Sequence, residues 1–457
     1  MSQKKQSHIL SIDYRVFFLM CFILAFGILF IRFPNTFFNA NFYAEEGKFW
    51  LVNLLEHGFF DSVFEKFNGY LISGMYIMVY AAYLLNELVT QQFIYMPVFM
   101  ALVANILFAV IVCTPILLFY RKFSPALLFF LVIFSSFVPL GGWDYAVLGV
   151  IGNMKFLFLY FAFILILYRF SLKEDEKKVF AVDGLLILSA FTNLTVFFMV
   201  PVIYLNYLKE LVKKGKTFKQ ILKERGGISA FFMAMVLSVY AISIIVQGLS
   251  KPENYLTEPY VFEKTIDIFI GTAYIQPLIR GVYQFMTDGI VVGIFAAVFA
   301  LMFFFGKKQK HLLVYLFGIY SIFIATFLFV STRTGVHKYF DNYMGTAPSQ
   351  FFYAQNVIFI FLLIFLIQDI IAYKKMNKWI RGVIVGVILL TLSVNIPFSG
   401  TFGHSKNMNA SLAKIGTFEE NVYKACRGKE DIFEIPIYPN DKQFIVLSRE
   451  VVCDMKK

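Results

Sequence analysis

The sequence predicts an all-α polytopic membrane protein carrying a small α+β tail at its C-terminal end. Three observations predict it. Hydrophobic residues make up 59% of the 457, against about 45–50% in soluble domains. They fall in repeated blocks near the length, about 20 residues, that a helix needs to cross a hydrocarbon core. Lys and Arg gather in the short segments between the blocks, as loops on the cytoplasmic side do. That clustering accounts for the net charge of +12. No basic, aromatic-interleaved soluble stretch points to nucleic acid.

Taken in order, Lys4, Lys5 and Arg15 precede an apolar run over 16–31. The run is long for a signal peptide and no small-residue cleavage site follows, so it reads as a first helix with its start inside. Basic loops at Arg121-Lys122, 169–178, 209–225, Lys307-Lys308-Lys310 and 374–381 read as cytoplasmic. Apolar runs between them cover 123–140, 156–168, 184–207, 228–249, 289–305, 312–331, 352–372 and 382–398. Because 184–207 has basic loops on both sides, it must enter and leave on one side. Two short helices meeting at the polar turn Thr192-Asn193-Leu194-Thr195 satisfy this, provided the turn is covered. Residues 71–119 allow one crossing or three, so the expected total is about 11 to 13.

The expected division is a membrane domain over 1–398 and an external tail over 399–457. The outward segments are then 34–70, 141–155, the turn near 192–195, 250–288, 332–351 and the tail. Cys21 and Cys113 lie in apolar runs and read as small hydrophobes. Cys426 and Cys453, an isolated pair in the polar tail, suggest a disulfide and an oxidising compartment.

The first outward loop carries the chemistry. From Phe49 to Phe67 its apolar residues recur at helical spacing, as in helices lying in the membrane interface. Glu45 and Glu46 stand just before. A carboxylate in a partly dry site there can serve as a base; equally, both can be helix-start acids favoured by the dipole. Outward cations near helix ends are Lys155, Arg280, Arg333, His337 and Lys338. Arg333 and Lys338 follow an apolar run at headgroup depth, and they and Lys155 read either as phosphate ligands or as snorkelling anchors. Arg280 reads as structural. Trp143 reads as a sugar-stacking ring or as an interfacial belt residue. The five His show no metal-ligand spacing; a divalent ion is compatible with the acid-rich loop without being required by it. No nucleotide-binding glycine loop and no GxSxG is present.

The string Tyr43-Ala44-Glu45-Glu46-Gly47 followed by Asn68-Gly69-Tyr70-Leu71 resembles the AEDG…GYL pattern of a bacterial branch of GT-C glycosyltransferases, the serotype-converting O-antigen glucosyltransferases, with Glu46 where Asp is usual. Gly149-Val150-Ile151-Gly152-Asn153, the paired short helices around Asn193, and the tail string Glu434-Ile435-Pro436-Ile437-Tyr438-Pro439 are similar to further parts of that branch. The resemblance implies a polyprenyl-phosphate-linked hexose, by analogy glucose, as donor and a lipid-linked glycan or O-antigen as acceptor. It implies an inner-membrane location with the C-terminus outside, a base at Glu46 or Glu45, and donor-phosphate contacts at Arg333, Lys338 and Lys155. It implies sugar or acceptor contacts at Trp143, Asn153 and Tyr43. The rival readings are a flippase or transporter of lipid-linked sugar, which needs charges lining an intramembrane path, and a polysaccharide polymerase, which uses Arg-rich external loops.

Overall fold

The structure, a computed structural model, describes residues 13–140, 147–173, 176–247, 259–333, 351–398, 415–438 and 443–453. It is a helical bundle. Eight described helices are long and apolar enough to cross a membrane, and the described strands form two small two-stranded sheets.

Helix α1 (Tyr14–Arg32) opens on Asp13, whose side chain accepts from Arg15 N–H. At its far end buried Arg32 donates to Ser136 O at 2.8 Å. The chain then enters the first loop. A π-helical turn (Glu46–Leu51) runs into α2 (Val52–Val63), which is kinked at Gly58. The helical spacing predicted helix as far as Phe67; instead the chain turns at Asn68-Gly69, both at positive φ, and pairs Lys66–Phe67 (β1) with Tyr70–Leu71 (β2). Asn-Gly suits the two-residue hairpin turn, which needs φ above zero twice, and that local preference overrides the apolar periodicity.

Helix α3 (Ser73–Val89) stacks Tyr80 on Phe59, and α4 (Met96–Phe119) follows. Phe93, before α4, packs on Phe42 and Phe418, whereas Tyr120, after it, packs on Tyr14 at the start of α1. Residues 71–119 therefore cross the bundle once, through α4, and α3 stays at the end where it begins. Helices α5 (Pro125–Ser136) and α6 (Ile151–Arg169) come next. The segment expected to fold back does so: α7 (Lys178–Thr192) ends at the polar turn and α8 (Leu194–Met199) leaves it, continuing into α9 (Pro201–Lys214). The turn is covered by protein. Asn193 caps α8 through Thr195 N–H and donates to Lys155 O, while Thr192 Oγ1 accepts from Gly74 N–H.

Helices α10 (Arg225–Gln247), α11 (Phe262–Ile268), α12 (Asp288–Gln309), α13 (Leu312–Thr332), α14 (Tyr353–Ala372) and α15 (Lys378–Phe398) complete the bundle. Burial ranks them. The apolar window of α14 is 89% buried and that of α6 is 72%, against 17% for α15 and 22% for α12. Helices α6 and α14 are thus the core, and the peripheral helices leave apolar side chains such as Leu390, Val383 and Phe303 exposed, a surface that suits lipid rather than water.

The tail forms α16 (Phe418–Arg427), β3 (Ile432–Pro436), β4 (Phe444–Ser448) and α17 (Arg449–Cys453), with β3 and β4 antiparallel. A Cys426–Cys453 disulfide joins its two helices. Rather than hanging free, the tail shares the main apolar core and docks on the first loop.

Candidate functional site

The acidic pair lies at the end of the bundle where the first loop, the start of α6, the start of α14 and the tail meet. The two carboxylates are placed differently. Glu45 is exposed, whereas Glu46 keeps only 3% of its surface. One oxygen of Glu46 accepts from Tyr43 N–H at 2.8 Å and the other from Gly152 N–H at 3.3 Å, with Ile151 N–H also directed at the carboxyl. The carboxyl therefore sits on the open N-terminus of α6, where unsatisfied N–H groups and the helix dipole favour an anion. Burial nevertheless pushes its pKa up to about 8; the N–H donors pull the other way and the neighbouring Glu45 adds to the rise.

The glycines of the 149–153 segment have a physical reason here. A Cβ on Gly152 would lie 2.9 Å from the Trp50 ring, and Gly149 holds φ +74° with Thr36 against it. Trp50, 1% exposed, thus packs on bare α6 backbone. Lys155, one turn along, places Nζ over the Trp50 and Phe156 rings at 5.9 and 5.3 Å. Phe156 meets Phe351 edge-on, and the Arg333 guanidinium lies 4.7 Å from the Phe351 centroid. A ribbon of alternating cations and rings therefore leads from Glu46 to Arg333. Asn153 is buried on α6, and its carbonyl accepts from Tyr353 OH at 3.0 Å, tying the two core helices together.

Of the residues predicted from sequence, Glu45, Glu46, Tyr43, Asn153, Lys155 and Arg333 are thus brought to one end of the bundle. Trp143, His337 and Lys338 lie outside the described residues. Among the described residues no three His, Cys, Asp or Glu side chains gather as a metal-ligand set. Arg280, read from sequence as structural, is half-buried, forms no hydrogen bond or ion pair with the described residues, and has its pKa lowered by that burial.

Sequence reasoning missed the tail's part. Ala44 sits at φ +43°, a conformation that costs a non-glycine residue energy. It is held there because its N–H donates to Tyr438 O at 2.7 Å, while Tyr438 N–H donates to Phe42 O at 3.0 Å. Lys48 lies over the Phe444 ring, and Phe418 packs edge-on against Phe42 at 4.9 Å. The tail thereby sets the backbone just before Glu45. Around it, the side-chain polar atoms of Asn41, Nε1 of Trp50 and the hydroxyl of Tyr438 are buried without hydrogen-bond partners among the described residues. Atoms of the same kind occur elsewhere in the bundle, at Tyr160, Tyr274 and Asn356 among others.

No protein-family model matches the chain, and no curated protein is significantly similar to it. The functional reading therefore rests on the residues themselves.

Proposed function

We propose that the protein is a polyprenyl-phosphate-dependent glycosyltransferase of the GT-C type, acting at the outer face of a bacterial inner membrane on a lipid-linked glycan such as O-antigen. The observation that carries this is the division of labour in the acidic pair: Glu46 anchors the loop on α6, leaving Glu45 exposed beside it at the end that also holds Lys155 and Arg333. Inverting transfer needs a carboxylate within hydrogen-bond reach of the acceptor hydroxyl. Glu45 can approach an acceptor; Glu46, engaged by backbone N–H donors through both oxygens, is a positioning residue.

The departing phosphate requires positive charge. Lys155 and Arg333, with Lys338 following in sequence, are the donor-phosphate candidates, and Arg280 joins them as a half-buried cation without a described counter-charge. Tyr43, Asn153 and Trp143 remain candidates for sugar or acceptor contacts. On this reading the basic loops face the cytoplasm, and the tail with its disulfide faces the oxidising side.

A transporter is disfavoured by the placement of the ionisable pairs. Arg169 bonds Asp183, and His311 bonds Asp369, both at the opposite, basic end, so they line no path across the bundle. The deciding experiment measures hexose transfer from a polyprenyl-phosphate donor in membranes. Glu45→Gln should insert normally and lose about a hundredfold or more of the rate, the usual contribution of a positioned base. Unimpaired transfer by Glu45→Gln, alone and combined with Glu46→Gln, would remove the assignment.

A further inference from the structure

A large cavity lies away from the acidic pair, at the basic end of the bundle. It has a volume of about 1150 Å³, bounded by α4, α6, the α8–α9 arm, α13 and α14. That exceeds the roughly 300–1,000 Å³ of pockets for compact ligands. Its lining is mostly apolar and aromatic, including Phe198, Val202, Phe317 and Phe361. Its charged lining residues stand at one end: Lys122 in the α4–α5 loop, Lys209 near the end of α9, and His311 before α13.

His311 is already paired with Asp369 at 2.8 Å. Lys122 and Lys209 pair with no described acid; Lys122 Nζ lies only over the Phe119 ring, 5.9 Å from its centroid. Burial also pulls Lys122 below its ordinary pKa. Both ammonium groups are nevertheless exposed at the mouth of the groove, where cations at a membrane surface attract anionic headgroups.

The depth selects the kind of lipid. From His311 to Tyr320, along one wall of the cavity, α13 rises about 14 Å at 1.5 Å per residue. That is about half of a 30 Å hydrocarbon core, hence one leaflet. An acyl chain fits that depth, whereas a long isoprenoid would overrun it.

We infer that this groove is a binding site for an anionic phospholipid of the leaflet at the basic end, with an acyl chain between α9 and α13 and its phosphate on Lys122 and Lys209. The site is independent of the transfer reaction proposed above. Its consequence is structural: a seated lipid would brace the α8–α9 arm, whose turn at Asn193 reaches Lys155.

Native mass spectrometry of the full chain in detergent tests this, with phosphatidylglycerol and phosphatidylcholine of identical acyl chains, undecaprenyl phosphate, and inorganic phosphate as probes. The wild type should retain one phosphatidylglycerol with about tenfold preference over phosphatidylcholine, and inorganic phosphate should not displace it. Lys122→Gln with Lys209→Gln should erase the preference while leaving the thermal midpoint in phosphatidylcholine unchanged. Val202→Trp, which fills the groove, should abolish retention of both phospholipids. Equal retention of the two by the wild type, an undiminished preference in the double glutamine variant, or retention surviving Val202→Trp would overturn the inference. So would undecaprenyl phosphate displacing phosphatidylglycerol at equal concentration, which would give the groove to a polyprenyl lipid.

Discussion

Glu46→Gln should change the pH dependence of stability before it changes anything else. In the unfolded chain this carboxyl titrates near its ordinary value of 4.5, whereas in the folded protein burial raises it to about 8. A raised acid pKa means that the folded state holds the proton more tightly. Stability is then fully present below the unfolded value and falls as pH rises towards 8, levelling off above it. At about 1.36 kcal/mol per pH unit, the whole excursion is on the order of 5 kcal/mol. Glutamine cannot titrate, so the variant lacks this term. In exchange it must turn its amide NH₂ towards the N–H of Tyr43 or of Gly152, donor against donor, which costs about 2 kcal/mol at every pH. The two curves should therefore cross: Glu46→Gln is the less stable protein near pH 5 and the more stable near pH 9. Thermal unfolding of the purified protein in a neutral detergent across pH 5 to 9 reads this directly. Parallel curves for wild type and variant would refute the claim that Glu46 is buried with a raised pKa.

Gly152→Ala should destabilise by about 1–3 kcal/mol, because its Cβ would press on the Trp50 ring at 2.9 Å in a filled interior; the thermal midpoint measures this, and Trp50→Phe in the same chain should recover part of the loss. Replacing Cys426 and Cys453 with Ser opens a cross-link spanning 27 residues and should cost about 3–4 kcal/mol. Limited proteolysis should then cut the tail faster than the bundle, and equal rates would show that the tail's packing alone secures it.

Much of the bundle was legible in residue order because its signals are local. Apolar runs and Lys/Arg clusters report the solvent each segment meets, and the return at Thr192–Thr195 followed from two basic loops flanking one run. The boundary of the first-loop helix was misread because the turn preference of Asn68-Gly69 is also local and outranked the apolar spacing at Lys66 and Phe67. The single crossing in 71–119 could not be chosen from composition. It follows from Phe93 meeting Phe42 and Phe418, and Tyr120 meeting Tyr14.

The sequence by itself determined that this chain is a membrane bundle with an acidic first loop and a cross-linkable tail, since hydropathy, charge and cysteine placement are properties of neighbours along the chain. Only the tertiary structure decided which of two adjacent glutamates is withdrawn from solvent. That depends on Gly152, 106 residues away in sequence, offering a bare helix N-terminus to one carboxyl and not the other. It likewise decided that Tyr438 of the tail holds Ala44 in its strained turn. Desolvation and hydrogen bonding act through space, and no local pattern reports which distant backbone will supply the donor.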